Sequence, residues 1–332
     1  MFRGRLTVAA ALVAVGTAAV GCGSSDDEAA TAGPSGSKRA KVAVVLYATG
    51  DSYFQQARCG AEASAKRLGF DLQWQGPGTF DPPAEVTALA AAAQRKPDVV
   101  VLDPADPTAF LAPVRSLLAN GTPVITFDGA LAEPIATQNV RTDGKTAGAA
   151  AADELAELIE GRGKVAIQGA VPGLLTLKER VDGFKERLAA EHPGIDVLPT
   201  QFSGGDPAKA ASATQALLKA HPDLNAVYTV VSLDTPPTLA GVKAAGRAGK
   251  VTLVSWDATP GNIRLLKKGS VAAIVAQDPV KTIQTALQTA HKLATGSVEA
   301  SAVKRQVLLP ATVITDENLD EPEVARLQQA GC

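Results

Sequence analysis

Carboxylates that close apolar runs are the residues of this chain best suited to chemistry. Asp103 follows DVVVL, Asp128 follows PVITF, Asp257 follows VTLVSW, and Asp278 stands one residue beyond VAAIVAQ. A carboxylate accepts hydrogen bonds on two oxygens, so such groups suit the gripping of hydroxyls at least as well as acid–base work. No activated nucleophile accompanies them, since the chain has no Gly-x-Ser-x-Gly elbow. The three histidines, His192, His221 and His291, are far apart, and two sit in His-Pro pairs at expected helix ends, where a cation suits the helix dipole. No ligand cluster for a metal is spelled out. Gly161-Arg162-Gly163-Lys164 and Gly246-Arg247-Ala248-Gly249-Lys250 lack the spacing and the following Ser or Thr of a phosphate loop, and Gly76-Pro77-Gly78 misses the dinucleotide fingerprint. The expectation is a binding protein without cofactor or metal, not an enzyme.

Positioning those carboxylates requires strands that end in loops. From residue 41 the chain alternates short β-branched runs with longer amphipathic stretches. Strands are predicted at 41–47, 71–75, 98–102, 123–127, 164–168, 196–201, 226–230, 251–256 and 271–276. Several are almost wholly apolar, as parallel strands covered on both faces are. Between them a 3.6-residue period predicts helices with buried faces at Val181, Phe184 and Leu188, at Ala210, Ala213, Leu217 and Ala220, and at Ile283, Ala286, Leu287, Ala290 and Ala294. Alternating strand and helix means an open, doubly wound α/β sheet. Two such series run in succession, about 41–141 and 142–276. Ligands of α/β sheets bind beyond the carboxyl ends of the strands, so two lobes with facing loop edges would enclose a cleft.

Size and charge agree with that reading. About 290 residues run from residue 40 onward, which is more than one ordinary domain. Apolar residues make up 46% of the chain and the net charge is −2, so nothing favours a nucleic-acid partner. The N-terminus has a different character. Arg3 and Arg5 precede the uncharged run 6–21, which reads as an export signal and is short and weakly apolar for a bilayer span. Ala19-Val20-Gly21-Cys22 resembles a bacterial lipoprotein box, which would make Cys22 the acylated N-terminus of a protein held on the membrane's outer face. Residues 22–39, small, polar and acidic, read as a flexible tether.

Taken in order, these segments resemble the type I periplasmic solute-binding proteins of ABC transporters, in particular the ribose, galactose and allose binders. KVAVVLYATGDSYFQQARCGAE looks like the family's first strand, loop and helix. PDVVVLDPADPTAF and GTPVITFDGA look like its third and fourth strands with their loops, RTDGKTAGAAAADEL its first crossing, and LKERVDGFKERL and AHPDLNAVYTV its second lobe. VSWDATPGNIRLLKKGSVAAIVAQDPVKTI is the most specific segment. The resemblance implies two Rossmann-like lobes joined by a three-crossover hinge, 40–141 with 278–304 and 142–277 with 305–315, followed by a C-terminal tail, 316–332. It implies a monomer that closes on a small sugar or polyol and delivers it to an ABC permease and its ATPase. Carried over residue by residue, the ligand contacts fall on Asp51, Tyr53, Phe54, Asp128, Lys178, Asp257 and Gln277, with Asp234 the best match for a contact after the eighth strand. The family often has Arg after the strand-four Asp, where this chain has Gly129, and Lys178 stands for its second-lobe Arg. Both changes remove a fork-shaped donor.

Each of these residues also has a structural reading. Asp257 could cap a helix starting near Pro260, Asp128 could be a turn residue, and Tyr53 and Phe54 could be ordinary core. Lys178 could pair with Glu179 or Asp182 on a solvated face. Asp103 and Asp106 read as turn and cap residues, and Trp74 as packing. With Cys22 acylated, Cys59 and Cys332 remain, and a disulfide between them is expected to pin the tail to the first lobe. A sensor for a membrane signalling partner, or a receptor for a non-sugar polar solute, is the alternative function. A lac-type repressor would need a DNA-binding head where the signal stands, and a glycosidase would need a carboxylate pair at a set separation.

Overall fold

The computed structural model describes residues 39–328. Cys22, the signal segment, the tether up to residue 38 and Cys332 lie outside the described residues. The chain runs β1 (Lys41–Val45), α1 (Ser52–Leu68), β2 (Asp71–Gln75), α2 (Pro82–Gln94), β3 (Val99–Leu102), α3 (Leu111–Ala119), β4 (Val124–Phe127) and β5 (Gln138–Thr142). It continues with α4 (Gly144–Leu158), β6 (Gly163–Gly169), α5 (Leu175–Glu191), β7 (Ile195–Val197), β8 (Gln201–Phe202), α6 (Pro207–Ala220), β9 (Leu224–Thr229) and α7 (Thr235–Ala244). The last elements are β10 (Thr252–Trp256), α8 (Pro260–Lys267), β11 (Ala273–Ala276), α9 (Pro279–Ala294), β12 (Gln306–Leu309), β13 (Thr312–Ile314) and α10 (Pro322–Leu327).

Two sheets result. The first has the order β12-β5-β4-β3-β1-β2 with every pair parallel. The second has the order β13-β11-β10-β9-β6-β7, with β8 also on β6 and β13 antiparallel to β11. Strands β1, β3, β4, β9, β10 and β11 are buried almost throughout, because helices cover both faces of each sheet. One face of the first sheet packs Val42, Val101 and Ile125 against α1 and α9, whose Ile283, Ala286, Leu287 and Ala290 form the expected stripe. The matching face of the second sheet packs Ile167, Tyr228 and Val254 against α4 and α5.

The chain therefore passes between lobes three times, after β5, after β11 and after β12. The last passage differs from the sequence expectation. Residues 305–315 were assigned to the second lobe, but β12 pairs in parallel with β5, Val307 beside Val140, and only β13 joins the second sheet. The crossing falls at Pro310-Ala311. β12 is an edge strand whose residues alternate between exposed and half-buried, so it lacks the continuous apolar run by which the inner strands are recognised. In α6 the buried face is Ala210, Thr214 and Leu218, with Ala220 exposed, because Thr214 satisfies its hydroxyl on the Ala210 carbonyl at 2.8 Å. The predicted strand at 196–201 is two short pieces, β7 and β8.

No helix among the described residues is long and apolar enough to cross a membrane. The tail packs back on the second lobe, where Leu319, Val324 and Leu327 join the cluster around Val227, Ile274 and Ile314.

Candidate functional site

A cavity of about 510 Å³ lies where the carboxyl ends of both sets of strands face each other. Asp51, Asp103 and Asp128 line it from the first lobe, Arg180 and Asp257 from the second, and Gln277 from the hinge between β11 and α9. Each arrives by a local device. Asp51 caps α1, its Oδ1 accepting the Tyr53 amide at 2.7 Å, which fixes the loop after β1 against the cavity. That places Tyr53 and Phe54 in the first turn of α1, buried and also lining the cavity, with Phe54 edge-on to Tyr47 at 5.0 Å. The readings of Tyr53 and Phe54 as core and as cavity wall both hold.

Asp128 and Asp257 end β4 and β10 with left-handed backbones, φ 60° and 63°. Such a conformation is uncommon outside glycine and is concentrated at functional sites. It turns each carboxylate off the end of its strand toward the cleft. Asp257 is not a helix cap: Thr259 caps α8, its side chain accepting the Asn262 amide, while Asp257 Oδ1 accepts from Gln277 Nε2 at 2.9 Å. Asp128 Oδ1 accepts the Tyr53 hydroxyl at 2.8 Å. Burial holds the Asp128 carboxyl above its ordinary range, against the pull of Arg180 and the Tyr53 hydroxyl. Burial likewise raises Asp51, with the Tyr53 amide opposing.

Three sequence expectations change here. Lys178 does not reach the cavity; it lies on the solvent face of α5 and its ammonium pairs with Asp182. The cation that lines the cavity is Arg180, two residues along the same helix and only 5% exposed. Its guanidinium lies over the Trp256 ring and donates from Nη1 to the Val230 carbonyl. Helix α5 can place it there because α4 and α5 cross closely: a side chain at Gly148 or Gly183 would collide with the backbone of the other helix. Asp234 is buried beside the cavity but does not line it; its Oδ1 accepts the Ser203 hydroxyl at 2.9 Å. The third change is Asp103, which was read as a turn residue and instead forms part of the cavity wall. Asp106 keeps its capping role, accepting the amides of Thr108 and Ala109.

Tyr47 and Phe80 were missed. Tyr47 follows β1, and Phe80 sits over it with ring centroids 5.4 Å apart, 47% exposed at the cavity's edge. Scarcity of aromatics, 4% of the chain, was the signal that could have drawn attention to them. The resulting surface combines carboxylate acceptors, one guanidinium and aromatic faces. That combination can hydrogen-bond hydroxyl groups while covering C–H surface.

Comparison with known proteins agrees with this geometry. Residues 42–297 match the family described as periplasmic binding protein domain. The ribose import binding protein RbsB of Escherichia coli (strain K12) is 28% identical over 258 residues, covering 77% of this chain and 85% of that protein. An ABC transporter solute-binding protein from Agrobacterium vitis, bound with alpha-D-tagatopyranose, superposes with a TM-score of 0.82 at 30% identity, covering 87% of this chain and 99% of that one. A solute-binding protein from Burkholderia graminis in complex with D-arabinose gives a TM-score of 0.78 at 26% identity, over 86% and 99%.

Proposed function

This chain belongs to the periplasmic binding protein family as a sugar-binding protein of an ABC importer, and we propose that it is a lipid-anchored receptor that closes its two lobes on one small neutral sugar or polyol. The observation that carries the site assignment is the convergence of Asp128 and Asp257, each on a left-handed strand end, from opposite lobes onto one cavity. Carboxylates accept from ligand hydroxyls, Arg180 donates to ligand oxygens, and Tyr47, Phe54 and Phe80 cover the apolar faces. Gln277, at the hinge and bonded to Asp257, links the site to the segment about which the lobes turn.

The receptor works as a monomer outside the cytoplasmic membrane, tethered through acylated Cys22, and hands its ligand to a permease driven by an ATPase. It performs no chemistry on the ligand. Titration calorimetry and thermal shift against D-ribose, D-allose, D-arabinose, D-tagatose and xylitol test the reading. One or more should bind stoichiometrically and raise the melting temperature. If no sugar or polyol binds, the proposal is wrong.

A further inference from the structure

Gly129 and Asp103 occupy each other's space. Asp103 Oδ1 accepts the Gly129 amide at 2.9 Å, and a Cβ at residue 129 would collide with that same oxygen and stand 3.0 Å from Pro104 Cδ. The absence of a side chain directly after Asp128 is thus tied to the presence of a carboxyl group at the end of β3. The second oxygen, Asp103 Oδ2, is buried and no donor of the protein reaches it. A buried acceptor without a donor is costly. The carboxyl group of Asp128 lines the same cavity and is close enough to act on that of Asp103. Two carboxylates cannot bond to one another without a proton between them.

We propose that Asp103 is a further specificity-determining residue of this cavity, acting as a neutral carboxylic acid paired with the Asp128 carboxylate. The proposal rests on the sugar-receptor reading above and deepens it. A protonated Asp103 donates its one O–H to the Asp128 carboxylate, which satisfies its own second oxygen and fixes the direction in which Asp128 offers its remaining lone pairs to the ligand. It also lowers the negative charge of the cavity, which favours a neutral polyhydroxylated ligand over one that carries an ammonium group.

The surroundings support this state. Asp103 is 1% exposed, and burial first, then the charge of Asp128, push its carboxyl well above the ordinary range. The charged and titratable groups around the cavity are Tyr47 after β1, Asp51 and Tyr53 at the start of α1, Glu85 on α2, Asp128 after β4, Arg180 on α5 and Asp257 after β10. Apart from Arg180, all are acids, and Arg180 acts on Asp128. In this proposal the pair Asp103–Asp128 shares one proton, and Asp128, on which Arg180 acts, is the ionised partner.

Three proteins decide the matter: wild type, Asp103→Asn and Asp103→Ala. In infrared spectra of the ligand-free proteins near neutral pH, wild type should show the carbonyl stretch of a protonated carboxylic acid that Asp103→Asn lacks. Against whichever sugar or polyol of the panel binds wild type, Asp103→Asn, a neutral isostere with a donor, should stay within about threefold. Asp103→Ala should lose at least tenfold. Three results would each overturn the proposal: no protonated-acid band assignable to Asp103, an Asp103→Asn loss as large as that of Asp103→Ala, or wild-type affinity in Asp103→Ala. If no sugar binds wild type, the receptor reading fails instead, and the infrared band still reports separately on the carboxyl pair.

Discussion

Arg180 holds its guanidinium 3.8 Å from the centroid of the Trp256 ring, and its Nη1 donates to the Val230 carbonyl at 2.8 Å. A buried cation is costly unless paired, and here an aromatic face and a carbonyl do the pairing, with Asp128 near enough to feel its charge. The arrangement fixes the fork before any ligand arrives, so little entropy is lost on binding. Arg180→Lys should therefore cost at least tenfold in sugar affinity, because an ammonium neither stacks as well on Trp256 nor presents the planar, fixed fork of donors. Titration calorimetry reads this, and affinity within threefold of wild type would contradict it.

Lys178 and Arg180 together show what is legible in a sequence. Two residues apart on a helix point to nearly opposite sides. Arg180 sits on the buried stripe of Leu177, Phe184 and Leu188, and a cation on an apolar stripe was the readable sign. Lys178→Ala accordingly should leave affinity unchanged and serves as the control. The strand-end positions of Asp128 and Asp257 were legible because apolar runs stop there. Asp103 ends such a run too, but its contacts were not legible, since Gly129 and Asp128 meet it only through strand order. β12 escaped notice because an edge strand shows no continuous apolar signal.

Asp257 has two structural loads, a left-handed backbone and the bond from Gln277. Asp257→Asn keeps the shape and an acceptor for Gln277 but removes the charge. A hydrogen bond to a charged group contributes about 1.5–3 kcal/mol against about 0.5–1.5 for a neutral one, so affinity should fall roughly 5- to 15-fold. Asp257→Gly should lose the contact altogether while its ligand-free melting temperature stays near that of wild type, because the relief of positive φ offsets the lost bond from Gln277. A glycine variant that melts well below wild type would show that the carboxylate is structural instead.

Arg141 on β5 and Glu179 on α5 form a bidentate pair close to the first crossing, with Nη2 to Oε1 at 2.8 Å and Arg141 only 4% exposed. It joins the first sheet to a helix of the second lobe. Removing one partner of such a pair leaves a buried charge uncompensated, at a cost of about 3–5 kcal/mol. Glu179→Ala should lower the melting temperature of the ligand-free protein far more than Lys178→Ala, its immediate neighbour. Equal melting temperatures in thermal-shift measurements would mean that water replaces the carboxylate.

Glu85 on α2 is fully buried, accepts the Ala105 amide at 3.0 Å, and burial pushes its carboxyl up to about 8. The unfolded chain releases that proton near pH 4.5, the folded one near pH 8. Between those values the folded state binds more protons than the unfolded state, so stability falls as pH rises and levels off above about 8. Glu85→Gln keeps an acceptor for Ala105 and cannot ionise. It should gain melting temperature over wild type at pH 8 and little or none at pH 4.5. A difference that does not change with pH would place the effect elsewhere.

The tail fastens the two lobes beside the hinge, next to Gln277. Val324 and Leu327 of α10 are buried in the second lobe, while Arg326 Nη1 pairs at 2.7 Å with Asp278 Oδ2, the cap of α9 on the first. Cys59 on α1 is disulfide-bonded, and we take Cys332 to be its partner. Closing so long a loop would stabilise by about 5 kcal/mol in the chain-entropy model. The half-exposed Arg326–Asp278 pair would add about 1 kcal/mol or less. Cys332→Ser should therefore lower the melting temperature substantially and Arg326→Ala only slightly. A non-reduced peptide map should join the peptide containing Cys59 to the one ending at Cys332. A crosslink from Cys59 to any other segment, or a Cys332→Ser variant that melts like wild type, would show that the tail is held by the packing of α10 alone.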